Sequence, residues 1–378
     1  MNFQLKPRPH MRGNTGKTRS KNLQMLDAVT HALLFVVAWS IVNRYLLFGM
    51  EVAIHIVISL VVAVLSGLFA HTIFYMFMDS LEKVKFESFM ARIKSTWPRT
   101  MGGAPYVTAL IVAIGVRDNI PLYVLGLAVI FTEIFVKLVF GGFGNNIFNP
   151  AAFAFVFILL AFGGTTLGEN LPDIVTSATP LSGLKANGWT MTLHEAYRWV
   201  ETTGGLGRML VGLVPGSTGE TARLASLIAL CYLIYKKALD WVLPIFYLGT
   251  IFIITFIYGL IIGAGILYPV IHLLTGGVVF GAVFMATDPV TTPINRQGKM
   301  IWAICLALCT LLIRFNASHT EGVALSLLLM NMFVPFIDTQ TANITTKNTG
   351  KKVLSVFITF VVATVVVIGF TMLRKAFA

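Results

Sequence analysis

Apolar residues run along this chain in eleven blocks, and most are apolar all round rather than along one stripe. They cover residues 26–48, 52–78, 105–116, 121–139, 148–162, 224–235, 241–262, 267–287, 300–314, 323–337 and 353–373. A straight helical span needs about 20 apolar residues. Several blocks are shorter and contain or abut Gly and Pro, as in helices that break or end inside a bilayer under the cover of neighbouring protein. The pattern predicts an all-α polytopic membrane protein with ten or eleven transmembrane helices. It divides the chain into a basic tail (1–25), a first membrane half (26–162), a large loop (163–221), a second membrane half (222–340) and a linker with a C-terminal helix (341–378).

Composition agrees. Of 378 residues, 56% are hydrophobic and 12% charged, against about 25% charged in a soluble domain. So little charge does not coat a water-exposed surface. The net charge of +12 raises nucleic acid as a partner, but its distribution argues against that and for the bilayer. Lys6, Arg8, Arg12, Lys17, Arg19 and Lys21 all precede the first apolar block, the positive-inside pattern that puts the N-terminus in the cytoplasm of a cell-membrane protein. The 79–103 connection, Lys236 and Lys237, Arg296 and Lys299, and Lys347, Lys351 and Lys352 then fall on the same side. Loop 163–221 carries Glu169, Asp173, Glu195, Glu201 and Glu220 against Lys185, Arg198 and Arg208, and falls outside. An eleventh span would leave Arg374 and Lys375 outside, against the rule, hence ten or eleven.

The halves echo one another. Gly141, Gly142 and Gly144 precede Asn149-Pro150, and Gly276, Gly277 and Gly281 precede Asp288-Pro289. Five spans before the loop make the second half an inverted copy, the arrangement that encloses a central site. The alternative is that Gly and Pro here only allow close helix packing.

Candidate chemistry lies in the outer loop, at Asp173-Ile174-Val175-Thr176-Ser177-Ala178-Thr179-Pro180-Leu181. Alone, this is a hydroxyl-rich turn. It resembles the D-x-x-[ST]-G-A-T pattern read by flavin transferases, which esterify the phosphate of FMN to the final threonine, here Thr179. Asp173, Thr176, Ser177 and Ala178 complete the pattern, with Ser177 standing where glycine is preferred.

Further stretches are similar to motifs of the same family: Arg8-Pro9-His10-Met11-Arg12, Asn149-Pro150-Ala151-Ala152, Pro215 to Thr221, His272 to Gly277 and Met285 to Pro293. The chain resembles the family of the Rnf complex D subunit, which also holds the B subunit of the sodium-translocating NADH:quinone reductase. The resemblance implies a subunit, inactive alone, of a complex that couples electron flow between ferredoxin and NAD to sodium or proton movement. It implies covalent FMN on Thr179, a second, non-covalent flavin (riboflavin) nearer the cytoplasm, and partner subunits including another that bears FMN. The alternatives are the quinone-reductase relative and a small-solute channel or carrier without redox chemistry.

Other residues are open to two readings. Glu133 and Lys137, four apart in one apolar block, are either part of an ion path or a structural ion pair, since intramembrane charge is costly unless paired or hydrated. Asp288 either caps backbone groups or faces a cavity on that path. His31, His71 and His272 read as satisfied core histidines, Arg314 as a residue that snorkels to the interface, and Glu220 as a structural cap of the helix that follows it. Cys231, Cys305 and Cys309 read as buried small hydrophobes rather than metal or cluster ligands.

Overall fold

A computed structural model of the chain describes residues 16–84, 86, 88–118, 120–162, 184–185, 188–317, 322–342 and 349–377. The regular structure of these residues is helical.

All eleven apolar blocks fold as helices. In the first half these are α1 (Gly16–Phe48), α2 (Met50–Leu81), α4 (Pro105–Gly115), α5 (Leu122–Thr132) and α6 (Pro150–Phe162). An amphipathic helix, α3 (Phe89–Gly102), lies between α2 and α4 and is capped by Ser88, which accepts from the Ala91 N–H. The described part of the 163–221 loop holds α7 (Leu193–Thr202), α8 (Gly205–Val211) and α9 (Thr218–Thr221). Helix α7 starts at a reciprocal cap in which Thr192 and Glu195 satisfy each other's backbone N–H groups, as T-x-x-E allows. The second half contains α10 (Arg223–Tyr235), α11 (Val242–Ile262), α12 (Leu267–Leu273), α13 (Val278–Phe284), α14 (Arg296–Asn316), α15 (Val323–Ala342) and α16 (Thr349–Phe377).

By length and composition six of these helices are able to cross a membrane, or seven with α12 and α13 taken as one span bent by 54°. Helices α4, α6 and α10 are apolar but only 11, 13 and 13 residues long. At 1.5 Å per residue they reach about 16–20 Å, short of the roughly 30 Å hydrocarbon core. The short blocks of the sequence are thus short helices, not spans with misread ends.

Two interruptions shape the centre. After Thr132, α5 continues as a π-helical turn, Glu133–Leu138, with the Val139 N–H bonded to the Ile134 carbonyl five residues back. Such turns widen a helix and cluster at functional sites. The second interruption is the 274–277 break between α12 and α13, where Gly276 takes φ +67°, a backbone state that costs glycine little.

Candidate functional site

The two glycine–proline motifs meet in the middle of the molecule. Gly141, Gly142 and Gly144 adopt φ of +106°, +85° and +97° and turn the chain back after the π-helical turn, so that Asn149 arrives at the start of α6. Asn149 Oδ1 accepts from the Ala152 N–H at 3.0 Å, capping α6, and Nδ2 donates to the Met285 carbonyl at 3.0 Å. Its backbone N–H donates to Asn331 Oδ1 at 2.9 Å, and Asn331 Nδ2 donates to the Thr291 carbonyl at 3.0 Å. Asn149 and Asn331 are buried, so this amide network has no water to replace it and joins the halves rigidly. Asp288 makes a tight turn beside it, accepting from the Val290 N–H at 3.0 Å and the Thr291 hydroxyl at 3.1 Å.

A cavity of about 710 Å³ opens alongside. Its polar lining includes Thr108, Lys137, Asn146, Asn149, Asp288, Thr292 and Lys299, and its apolar walls include Val29, Ile111, Phe143, Leu239 and Phe284. At its rim Lys299 donates to Asp240 at 2.7 Å. Burial raises the Asp240 carboxyl, but the bonds from Lys299 and the Val242 N–H outweigh it and hold the group below the usual carboxylate value.

Behind the cavity wall, Glu133 is fully buried between two partners. Lys137 Nζ lies 3.2 Å from Oε2. His71 Nε2, from α2, lies 2.6 Å from the same oxygen. A carboxylate only accepts, so His71 donates.

At the C-terminal end of α1 another buried charge, Arg44, holds the segment that follows α8. Arg44 donates to the Val214 carbonyl at 3.1 Å, the Gly216 carbonyl at 2.6 Å and Thr221 Oγ1 at 3.1 Å, and its Nε stands 3.1 Å from Asp118. Trp39 and Asn43 both donate to the Val211 carbonyl. Thr218 donates to Asp118.

The sequence matches the model of the NQR2, RnfD, RnfE family over residues 4–350. The chain belongs to that family. It is 35% identical over 261 residues to the D subunit of the proton-translocating ferredoxin:NAD(+) oxidoreductase complex of Clostridium ljungdahlii, covering 67% of this chain and 77% of the relative. It is 37% identical over 235 residues to the D subunit of the Na(+)-translocating ferredoxin:NAD(+) oxidoreductase complex of Acetobacterium woodii, covering 61% and 69%. It is 31% identical over 254 residues to the B subunit of the Na(+)-translocating NADH-quinone reductase of Chromohalobacter salexigens, covering 62% and 57%. Family membership and the long apolar helices make this a multi-pass membrane protein.

Of the residues singled out from sequence, this NQR2/RnfD/RnfE-family fold brings Asp288 to the cavity and Glu133 behind its wall, joined to it through Lys137. Asp173, Thr176, Ser177, Ala178 and Thr179 lie outside the described residues. Four expectations are corrected. Arg314 does not snorkel: it is fully buried and donates to the His272 carbonyl at 2.9 Å, neutralising the carbonyl end of α12. Glu220 packs across the bundle, its Oε1 2.5 Å from where a Gly277 Cβ would stand, at the N-terminal end of α13. A cation and an anion thus flank the break in the senses the two helix dipoles favour. His31 is exposed, and His272, buried among Trp189, Tyr268 and Phe315, has neither ring nitrogen bonded. Cys231 is exposed and Cys305 and Cys309 are half-buried. Sequence reasoning missed Arg44 and the His71–Glu133 contact. Arg44 had the same signal as Glu133, a charge in an apolar block; the His71 pairing spans 62 residues and leaves no local signal.

Proposed function

We propose that this chain is the flavin-bearing membrane subunit of an ion-translocating ferredoxin:NAD oxidoreductase complex. It passes electrons between the ferredoxin-side and NAD-side subunits while the complex moves sodium ions or protons. The observation that carries this reading is the family match along residues 4–350, with relatives of 35% and 37% identity named as D subunits of such complexes. The quinone-reductase alternative is supported by a match of 31% and differs in electron acceptor rather than architecture. The other partners are the bilayer and the remaining subunits, one of them a second carrier of FMN. The N-terminus and the basic connections face the cytoplasm.

A bound flavin supplies reversible one- and two-electron transfer. Thr179 holds FMN through a phosphoester on its hydroxyl, within the motif of Asp173, Thr176, Ser177 and Ala178. The central cavity takes a second, non-covalent flavin. Its volume is in the range of drug-sized sites, and its lining suits a flat heteroaromatic ring with a polyol tail. Phe143 and Phe284 offer apolar walls, Asn146 and Thr292 offer hydrogen bonds, and Lys137 offers a positive charge.

Thr179→Val tests the covalent site, since it keeps the side chain's shape and removes the hydroxyl. The expected result is loss of flavin fluorescence from this chain's band on a denaturing gel and loss of electron transfer, at wild-type protein level. Thr179→Ser keeps partial labelling. A band that still fluoresces in Thr179→Val refutes the assignment.

A further inference from the structure

We propose that His71, Glu133 and Lys137 form a proton-holding site that takes up one proton whenever negative charge arrives in the central cavity. The proposal rests on the reading of that cavity as a flavin site and adds a function to it: proton uptake tied to reduction.

The argument begins with charge. His71, Glu133 and Lys137 have side chains 0%, 0% and 3% exposed. A net charge at such depth is expensive. The carboxylate of Glu133 and the ammonium of Lys137 cancel, so the cluster is neutral only while His71 is neutral. Its Nε2–H then points at Glu133 and its Nδ1 carries a free lone pair. A structural ion pair needs only Glu133 and Lys137. His71 adds a basic nitrogen that has no hydrogen-bond partner, which is a cost if the cluster only braces helices. It is the feature a proton acceptor requires.

Next comes the link to the cavity. Lys137 is at once the ion-pair partner of Glu133 and part of the cavity lining. The π-helical turn carries both residues, and the Thr108 hydroxyl on α4 stands 3.5 Å from Lys137 Nζ. Negative charge in the cavity draws on the positive charge of Lys137, and the local sum falls below zero. Protonation of His71 restores it.

The third part is a way in. Gly103, at the α3–α4 junction, lies against the imidazole: a Cβ there would stand 2.6 Å from Nδ1 and closer still to Cε1. Only glycine lets the backbone come this close. One turn along α2, Tyr75 stacks edge-on with His71 at 6.1 Å. Arg99 covers the Tyr75 ring at 5.1 Å, and one further turn along α2 Asp79 takes both bonds from Arg99 at 2.6 and 2.8 Å. The Arg99 side chain is 43% exposed. Positions 71, 75 and 79 share one face of α2 and lead from the buried cluster to water at the basic end. Tyr75, Asp79 and Arg99 are the ionisable side chains that line this approach.

The step balances. One electron enters the cavity's flavin from a flavin or iron–sulfur centre of a neighbouring subunit. One proton from water adds to His71 Nδ1, giving an imidazolium. Both leave on reoxidation.

His71→Gln separates this role from a structural one, because an amide still donates to Glu133 but does not take a proton. The test uses the whole purified complex with its flavins, reduced electrochemically between about pH 6 and 8, where imidazole chemistry falls. Expected are an infrared difference band of imidazolium that shifts with ring-¹⁵N histidine, and, beyond the protons the flavins themselves bind, uptake of one further proton per cavity flavin reduced, read by a pH dye. The band and that further proton are lost in His71→Gln while flavin content stays at the wild-type level. The isotope-labelled wild type needs no variant: cavity flavin present without a histidine band overturns the proposal alone. Proton uptake unchanged in His71→Gln also overturns it. Absence of any acid-extractable flavin from wild type overturns the cavity reading, and the proposal with it.

Discussion

Two of the buried charged sites among the described residues, at Arg44 and at Glu133, are handled in two ways. At the C-terminal end of α1, Arg44 is tied mainly to backbone: two carbonyls and a threonine hydroxyl fix its terminal nitrogens, and Asp118 stands beside Nε. At the cavity, Glu133 is held by side chains alone, and one member of its cluster keeps a nitrogen unbonded. Backbone carbonyls do not titrate and do not move without unfolding the segment that bears them. The first arrangement is therefore a clamp, which fastens residues 211–221 to α1. The second leaves a basic ring nitrogen without a partner. Burial alone does not distinguish them; the kind of partner does.

The largest effect is expected at the clamp. Arg44→Leu strands Asp118 and the Val214 and Gly216 carbonyls, and a buried pair broken on one side costs about 3–5 kcal/mol. The complex should lose thermal stability in detergent, or fail to assemble. A mild effect would mean that these contacts do not fasten the segment to α1, and would remove the contrast.

Next is the cavity cluster. Glu133→Leu alone leaves the Lys137 ammonium buried without its counter-charge, again about 3 kcal/mol or more. The joint change Glu133→Leu, Lys137→Leu removes both charges and should come within about 1 kcal/mol of wild type in thermal unfolding. Ion pumping that stops in the joint variant while electron transfer continues would show that the pair is part of the ion path itself.

The smallest effect belongs to the rim. Lys299 and Asp240 are 20% and 32% exposed, and such pairs are worth about 0–1 kcal/mol. The Asp240 carboxyl titrates below its usual value. Its contribution is therefore present at neutral pH, above the unfolded carboxylate pKa, and lost as pH falls through the lowered one. Asp240→Asn should remove it, so that the stability difference from wild type closes on acidification. A difference that grows instead would assign the pair another role.

These contrasts were unevenly legible in the sequence. Every apolar block became a helix, because hydrophobicity over a dozen residues is a local property. The glycine turns were also legible, at Gly141-Gly142 and at Gly276, because positive φ favours glycine. The shortness of α4, α6 and α10 was visible as well. What failed was whatever depends on distant neighbours. Arg314 sits near the end of its helix, where a lone helix would let it snorkel, yet α12 ends against it and offers carbonyls instead. Glu220 precedes a helix of its own and serves another. His71 looked like a core residue, and its partner is 62 positions away. The π-helical turn at Glu133 left no mark that hydropathy could carry.

The central claim, that this chain carries one flavin covalently on Thr179 and a second in the cavity between its halves, is tested most directly by counting. Flavin retained by this chain on a denaturing gel and flavin released by acid are measured per chain in the purified complex. Expected for wild type, after subtracting the flavin held by the other subunits, are one retained and one released. Thr179→Val should lose only the retained flavin, with mass spectrometry of the wild-type loop peptide placing FMN on Thr179. An active complex whose Thr179 is unmodified, or whose chain releases no flavin, would contradict it.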